Sequence, residues 1–166
     1  FRRVLFRSST IVSDNYPFTV LRNSLLEQAS NLVVFGDSLS HMGNGNNSAI
    51  VSVVFSSPPY WNGRFSNGPV WIEHISNSYG LTTTFGDGTA QGDNRAFGGS
   101  QTGQGYAYLT LPNVGTQINN YLANVQSNFT NSDVIFLWAG GNDFLYGTGN
   151  PDLISQNMAS HIQALA

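Results

Sequence analysis

A chain of 166 residues with a formal net charge of −3, no lysine and no cysteine is long enough for one domain with a real core, and it can form neither a disulfide nor a thiolate metal site. Charged residues make up 9% and hydrophobic residues 40%, so neutral Asn, Gly, Ser and Thr carry solubility; this excludes a disordered polyelectrolyte and a nucleic-acid binder. No apolar run approaches the roughly 20 residues of a membrane span, so no transmembrane segment is expected.

Residues 1–8, Phe1-Arg2-Arg3-Val4-Leu5-Phe6-Arg7-Ser8, read as translated sequencing-adapter sequence rather than protein, and the natural chain is expected to begin near Ser9. Without Arg2, Arg3 and Arg7, nine acidic residues face three basic ones and the charge becomes −6. Residues 9–30 are a lead-in to the first strand, expected at 31–35 in Asn31-Leu32-Val33-Val34-Phe35 and ending at Gly36-Asp37-Ser38. Its near-continuous apolar character suits a strand buried on both faces.

A segment rich in Gly, Asn, Ser and Pro follows over 43–69, longer than ordinary connections, as loops that carry function often are. Val51-Ser52-Val53-Val54-Phe55 is expected to be extended locally within it. The sequons at Asn46 and Asn128 are read as chance matches in an Asn-rich chain. A helix is expected over 69–76, with Pro69 at its first position and Gly80 beyond its end. A second short strand is expected at 94–97, leading into Gly98-Gly99. Val114, Ile118, Tyr121, Leu122, Val125 and Phe129 recur at helical spacing and predict an amphipathic helix. The third strand, 133–139, is apolar throughout and opens onto Gly140-Gly141-Asn142-Asp143. Asn150-Pro151 then caps a last helix with Ile154, Met158 and Ile162 on one face.

Strands alternating with helical patterns predict an α/β fold built on a parallel sheet, and ligands bind such sheets at their carboxyl edge. Three strand ends carry Ser38, Gly99 and Asn142 to that edge. A hydroxyl nucleophile together with hydrogen-bond donors for a developing oxyanion is what acyl transfer requires. A nucleotide site is the weaker reading, because no dinucleotide or Walker pattern opens a helix after a strand and Gly103-Gln104-Gly105 lacks the third glycine.

These blocks resemble a known family. Phe35-Gly36-Asp37-Ser38-Leu39-Ser40 followed by Gly43-Asn44, then Asn94-Arg95-Ala96-Phe97-Gly98-Gly99-Ser100, then Gly140-Gly141-Asn142-Asp143 are similar, in order, to the three blocks of the GDSL (SGNH) lipase/esterases. Asn62-Gly63-Arg64-Phe65-Ser66-Asn67-Gly68-Pro69-Val70-Trp71 resembles a segment of the branch with bacterial phospholipase and hemolysin types and fungal acetylesterase types. The likeness runs from about Asn31 to the end, so 31–166 is read as the N-terminal portion of such a hydrolase domain. The resemblance implies a three-layer α/β/α fold of flavodoxin-like type, no metal and no cofactor. It also implies an acyl-ester substrate, whether sugar acetate, short acyl ester or lipid; the cysteine-free composition fits a secreted or extracytoplasmic location.

By the same resemblance Ser38 is the nucleophile, and the Ser38 N–H, the Gly99 N–H and the Asn142 amide form the oxyanion hole. Gly99 is preferred over Gly98 because it aligns better with the family block. Asp37 helps set the nucleophile turn or caps a following helix, and Asp143 supports the third block or caps a turn. The chain departs from the family in two places. Ser40-His41-Met42-Gly43-Asn44 has histidine where many relatives have an acidic residue, and His41 is expected to be an exposed loop imidazole. The C-terminal Asp-x-x-His block is absent, and His74 and His161 are expected to be ordinary helix or surface residues. The reading frame is therefore expected to stop after the third strand, with the catalytic Asp and His beyond residue 166. A second class is a catalytically silent glycan-binding or adhesion module that uses Tyr60, Trp61, Phe65 and Trp71.

Overall fold

The computed structural model describes residues 26–43, 59–81, 93–108, 110–124, 132–147 and 149–166. Residues 1–8, most of the lead-in, Asn44, both sequons, the run 51–55, Val125 and Phe129 lie outside them. The first strand, β1 (Asn31–Gly36), is the centre of the described sheet. It runs parallel to a strand at Asp133–Trp138, in a register from Asn31 opposite Asp133 to Gly36 opposite Trp138. Its apolar run is buried on both faces, as expected. Val33 and Phe35 pack with Val114, Ile118, Tyr121 and Leu165, whereas Leu32 and Val34 pack with Met42, Val70 and Ile72. Helices therefore cover the two faces of a parallel sheet, which is the layered α/β arrangement that the alternating pattern predicts.

The expected strand at 94–97 forms only in part. Val34 N–H donates to Asp93 O (2.8 Å), Arg95 N–H to Val34 O (2.7 Å) and Phe97 N–H to Gly36 O (3.1 Å), so the segment runs parallel along β1. A continued ladder would send the Gly36 N–H to the Arg95 carbonyl. It goes instead to the Gln117 side chain, Oε1 at 3.0 Å, and a single bridge, Val34 with Asn94, remains. Asn94 adds a local competitor, since its Oδ1 accepts from Ala96 N–H (3.0 Å).

Helix α1 covers Trp71–Ser78 and begins two residues later than Pro69 suggested, behind an N-cap at Val70. Glu73 sets this start by accepting the Val70 N–H on Oε2 (2.8 Å). The helix ends as expected: Gly80 has φ +66, Leu81 N–H reaches Ser76 O (2.9 Å) and Gly80 N–H reaches Asn77 O (3.3 Å), a Schellman motif. A short antiparallel hairpin, β2 (Tyr106–Ala107) with β3 (Leu111–Pro112), was not anticipated; two-residue strands leave no periodicity to read.

Helix α2 (Val114–Asn124) turns Val114, Ile118 and Tyr121 inward, with the Tyr121 ring edge-on to Phe35. Strand β4 (Asp133–Trp138) is half-buried, and Trp138 is exposed. The third block opens a short helix, α3 (Gly141–Tyr146), that the sequence pattern does not predict. Helix α4 (Pro151–Leu165) has the predicted cap, with Asn150 Oδ1 accepting from Asp152 N–H (3.0 Å) and Leu153 N–H (3.3 Å). Ile154, Met158 and Ile162 are half-buried, and its buried residues are His161 and Leu165. Among the described residues no helix is long and apolar enough to cross a membrane.

Candidate active site at the carboxyl edge of the sheet

Strand β1 delivers the first block. At Gly36 a Cβ would collide with the Trp138 carbonyl oxygen, so the close approach of β1 and β4 requires glycine there. Gln117, on α2 and 2% exposed, clasps this point: it accepts the Gly36 N–H and donates through Nε2 to Gly36 O (2.9 Å), Ser100 Oγ (3.0 Å) and Pro112 O (2.9 Å).

Beyond Gly36 the chain enters a turn. Asp37 is buried, and its Oδ1 accepts the Leu39 N–H (3.0 Å), while Ser40 N–H reaches Asp37 O (3.1 Å) and His41 N–H reaches Ser38 O (3.4 Å). Asp37 thus sets the turn that carries Ser38, and among the described residues no helix follows directly for it to cap. Burial pushes its carboxyl above the ordinary 3.8, with the negative Asp143 adding to the rise and the Leu39 N–H opposing it. Ser38 itself is half-buried, and neither its N–H nor its hydroxyl bonds another described residue.

The second block lies beside the first. In the turn over 97–100, Phe97 N–H goes to Gly36 O, Gly98 N–H to His41 Nδ1 (3.3 Å) and Ser100 N–H to Phe97 O (3.3 Å). The Gly99 N–H is left without a partner among the described residues, on a residue with φ +80 against which the Tyr108 ring packs. Tyr108 is 63% exposed and holds φ +48, a left-handed conformation uncommon for a bulky side chain.

The third block places Asn142 and Asp143, both buried, on the first turn of α3. Asn142 Nδ2 donates one hydrogen to Ser100 O (2.9 Å), and an amide nitrogen carries two. The Asp143 carboxylate accepts Thr102 N–H (3.0 and 3.1 Å) and Thr102 Oγ1–H (2.6 Å). It therefore ties α3 to Thr102, two residues beyond the second block. Ser38, Gly99 and Asn142 stand at one edge, linked through Gly36, Gln117 and Ser100.

The histidines depart from expectation. His41 is fully buried, because the loop after Ser38 folds inward: Asn94 Nδ2 donates to Ser40 O (2.8 Å) and Trp71 Nε1 to Ser40 Oγ (3.1 Å). Its ring meets Phe65 and Phe97 edge-on, at centroid distances of 5.3 and 6.0 Å. Burial pulls its pKa from 6.5 down to about 4; the Ala96 backbone acts upward and the positive Arg64 further downward. His161 is buried as well, with Nε2–H donating to the Thr102 carbonyl (2.6 Å), and only His74 is on the surface as expected. None of the three imidazoles hydrogen-bonds the Ser38 hydroxyl.

The aromatic residues that suggested a glycan platform are mostly structural. Phe65 covers Gly98 and touches His41, while Trp71 bonds Ser40 and packs on Phe136 and Trp138. Arg64 lies over Trp61 and forms a two-point ion pair with Glu73, which fixes the segment that carries Phe65. Gln117, Thr102 and the buried His41 escaped sequence reasoning. A signal existed for Gln117, a polar residue on the same helical face as Val114, Ile118 and Tyr121.

Residues 32–166 match the family model described as GDSL-like Lipase/Acylhydrolase. The chain is similar to the phosphatidylcholine-sterol acyltransferase of Aeromonas hydrophila, 38% identical over 120 residues that cover 71% of this chain and 34% of that protein. It is also similar to the thermolabile hemolysin of Vibrio parahaemolyticus, 34% identical over 133 residues that cover 76% of this chain and 28% of that protein. The chain spans about a third of the length of these curated relatives.

Proposed function

Because the chain belongs to the GDSL-like lipase/acylhydrolase family, we propose that it carries the nucleophile and oxyanion-binding part of a serine hydrolase for carboxylic esters. One observation carries this reading. Among the described residues at this edge, the Ser38 hydroxyl and N–H, the Gly99 N–H and one Asn142 amide N–H have no hydrogen-bond partner. They are a nucleophile and a set of donors, as acyl transfer needs.

Ser38 Oγ bonds to the ester carbonyl carbon and gives its proton to a base, while the carbonyl π pair moves onto oxygen. The Ser38 and Gly99 N–H groups and Asn142 Nδ2 hold that oxyanion; each such donor contributes on the order of 10²–10³ in turnover. Collapse breaks the bond to the alcohol oxygen, which takes the proton back from the base. Water then repeats the sequence on the acyl-serine and releases the acid. His41 and His161 are engaged elsewhere and His74 lies on the surface of α1, so none of the three histidines in these 166 residues is placed to take the Ser38 proton.

We assign the substrate to the lipid acyl esters rather than sugar acetates. The similar proteins are named for phosphatidylcholine-sterol acyl transfer and for hemolysis, and Leu39 and Tyr108 set exposed apolar surface beside Ser38 and Gly99. The test uses the gene-length protein that carries this chain, with Ser38 or Ser38→Ala, against p-nitrophenyl esters of increasing acyl length and phosphatidylcholine vesicles. Wild type should turn over esters and Ser38→Ala should not. Equal rates in the two proteins would sink the proposal, and turnover of acetyl esters alone would sink its lipid assignment.

A further inference from the structure

We propose that His41 is a positioning residue whose Nδ1 holds the Gly98 N–H and so leaves the Gly99 N–H as the donor that faces the oxyanion. This rests on the functional reading above and deepens it. In the turn over 97–100, Phe97, Gly98 and Ser100 spend their N–H groups on Gly36 O, His41 Nδ1 and Phe97 O. With those three directions fixed and the Phe65 ring closed over Gly98, the peptide between Gly98 and Gly99 has little freedom left. His41 supplies the one bond of the set that comes from a side chain, and it comes from the loop that presents Ser38. The nucleophile turn and the donor turn are thereby set against each other through one imidazole.

The other ring nitrogen argues for the same role. An accepting Nδ1 requires the proton on Nε2, and Nε2 is buried with no well-formed hydrogen bond among the described residues, the Ala96 backbone lying close enough to act on the ring without completing one. An aliphatic side chain would fill the space between Phe65 and Phe97 and leave no orphaned donor, so packing alone favours leucine at this site. What an imidazole adds is the acceptor for Gly98.

The experiment compares His41→Leu, which lacks the acceptor, with His41→Asn, which places Oδ1 near the position of Nδ1, in the gene-length protein. His41→Leu should lower kcat by about 10- to 100-fold with KM within about threefold, because a misaimed oxyanion donor weakens transition-state binding more than ground-state binding. His41→Asn should recover kcat to within about fivefold of wild type. A purely structural role would lower the unfolding midpoint of both variants and leave kcat of the folded fraction unchanged, and that result overturns the proposal. Should His41→Leu not fold, His41→Gln replaces it, since Gln carries its acceptor to the Nε2 position; equal kcat for the Asn and Gln variants is then the overturning result. 15N NMR of the wild-type imidazole separates the two levels of inference. A protonated Nδ1 refutes the His41 role whatever the activity, whereas an unprotonated Nδ1 in a protein without Ser38-dependent turnover refutes the hydrolase reading.

Discussion

Replacing Gln117 by methionine keeps the volume and apolar stem of the side chain but removes its amide. The magnitude follows from what each partner has left. Gly36 O keeps the Phe97 N–H, Pro112 O keeps the Ser100 hydroxyl at 2.8 Å, and Ser100 Oγ keeps its donation to Pro112. The Gly36 N–H loses its acceptor, and the Arg95 carbonyl that would take it in a regular ladder lies on a segment already bonded to β1 through Val34 and Gly36. One fully orphaned buried donor costs about 1–3 kcal/mol, and three weakened acceptors raise the figure toward the upper end. Burial of the methionine thioether offsets part of this, for a net loss of about 2 kcal/mol. The assay is equilibrium urea unfolding followed by tryptophan fluorescence, with ester turnover on the same samples. Because Gln117 joins Gly36, just before Ser38, to Ser100, whose carbonyl holds Asn142, kcat should fall about tenfold under conditions where the variant is fully folded. A stability change below about 0.5 kcal/mol with unchanged kcat would refute the idea that this amide replaces a rung of the sheet.

Acid should destabilise the protein through His41. Its folded-state pKa of about 4 lies below the ordinary 6.5, so between those values the unfolded chain takes up a proton that the native state refuses. Stability therefore falls by about 3 kcal/mol from pH 7 to pH 4, and Asp37, whose carboxyl is raised, offsets part of it by holding its proton in the native state. Urea midpoints at the two pH values should show the loss in wild type and a flatter dependence in His41→Leu; parallel curves would count against it. Asn142→Ala should lower kcat by on the order of 10²–10³ with little change in KM. A kcat within about threefold of wild type would remove Asn142 from the donor set.

Motif and periodicity were enough to read the parts whose causes are local. The apolar runs of β1 and β4, the inward stripe Val114, Ile118 and Tyr121, the Gly80 terminus of α1 and the Asn150 cap of α4 all depend on residues a few positions apart. Ser38, Gly99, Asn142, Asp37 and Asp143 were named from blocks at strand ends, and the fold brings those blocks to one edge. The partial strand at 94–97 was not legible, because the bond that interrupts its ladder comes from Gln117, 81 residues along the chain from Gly36. The short helix α3 hid behind two glycines and is held by the bond from Thr102 to Asp143.

The histidines mark the division most sharply. By itself the sequence determined the strands, caps and motif blocks and placed the candidate residues Ser38, Gly99 and Asn142 at strand ends, since strand burial, helix caps and motif blocks are short-range consequences of residue type. Only the tertiary structure decided that His41 is buried against Phe65 and Phe97 with Gly98 on its Nδ1, that His161 is spent on the Thr102 carbonyl, and that neither reaches Ser38. Burial and pairing of a polar side chain depend on which distant elements close over it, and that closure is a property of packing that no local pattern encodes.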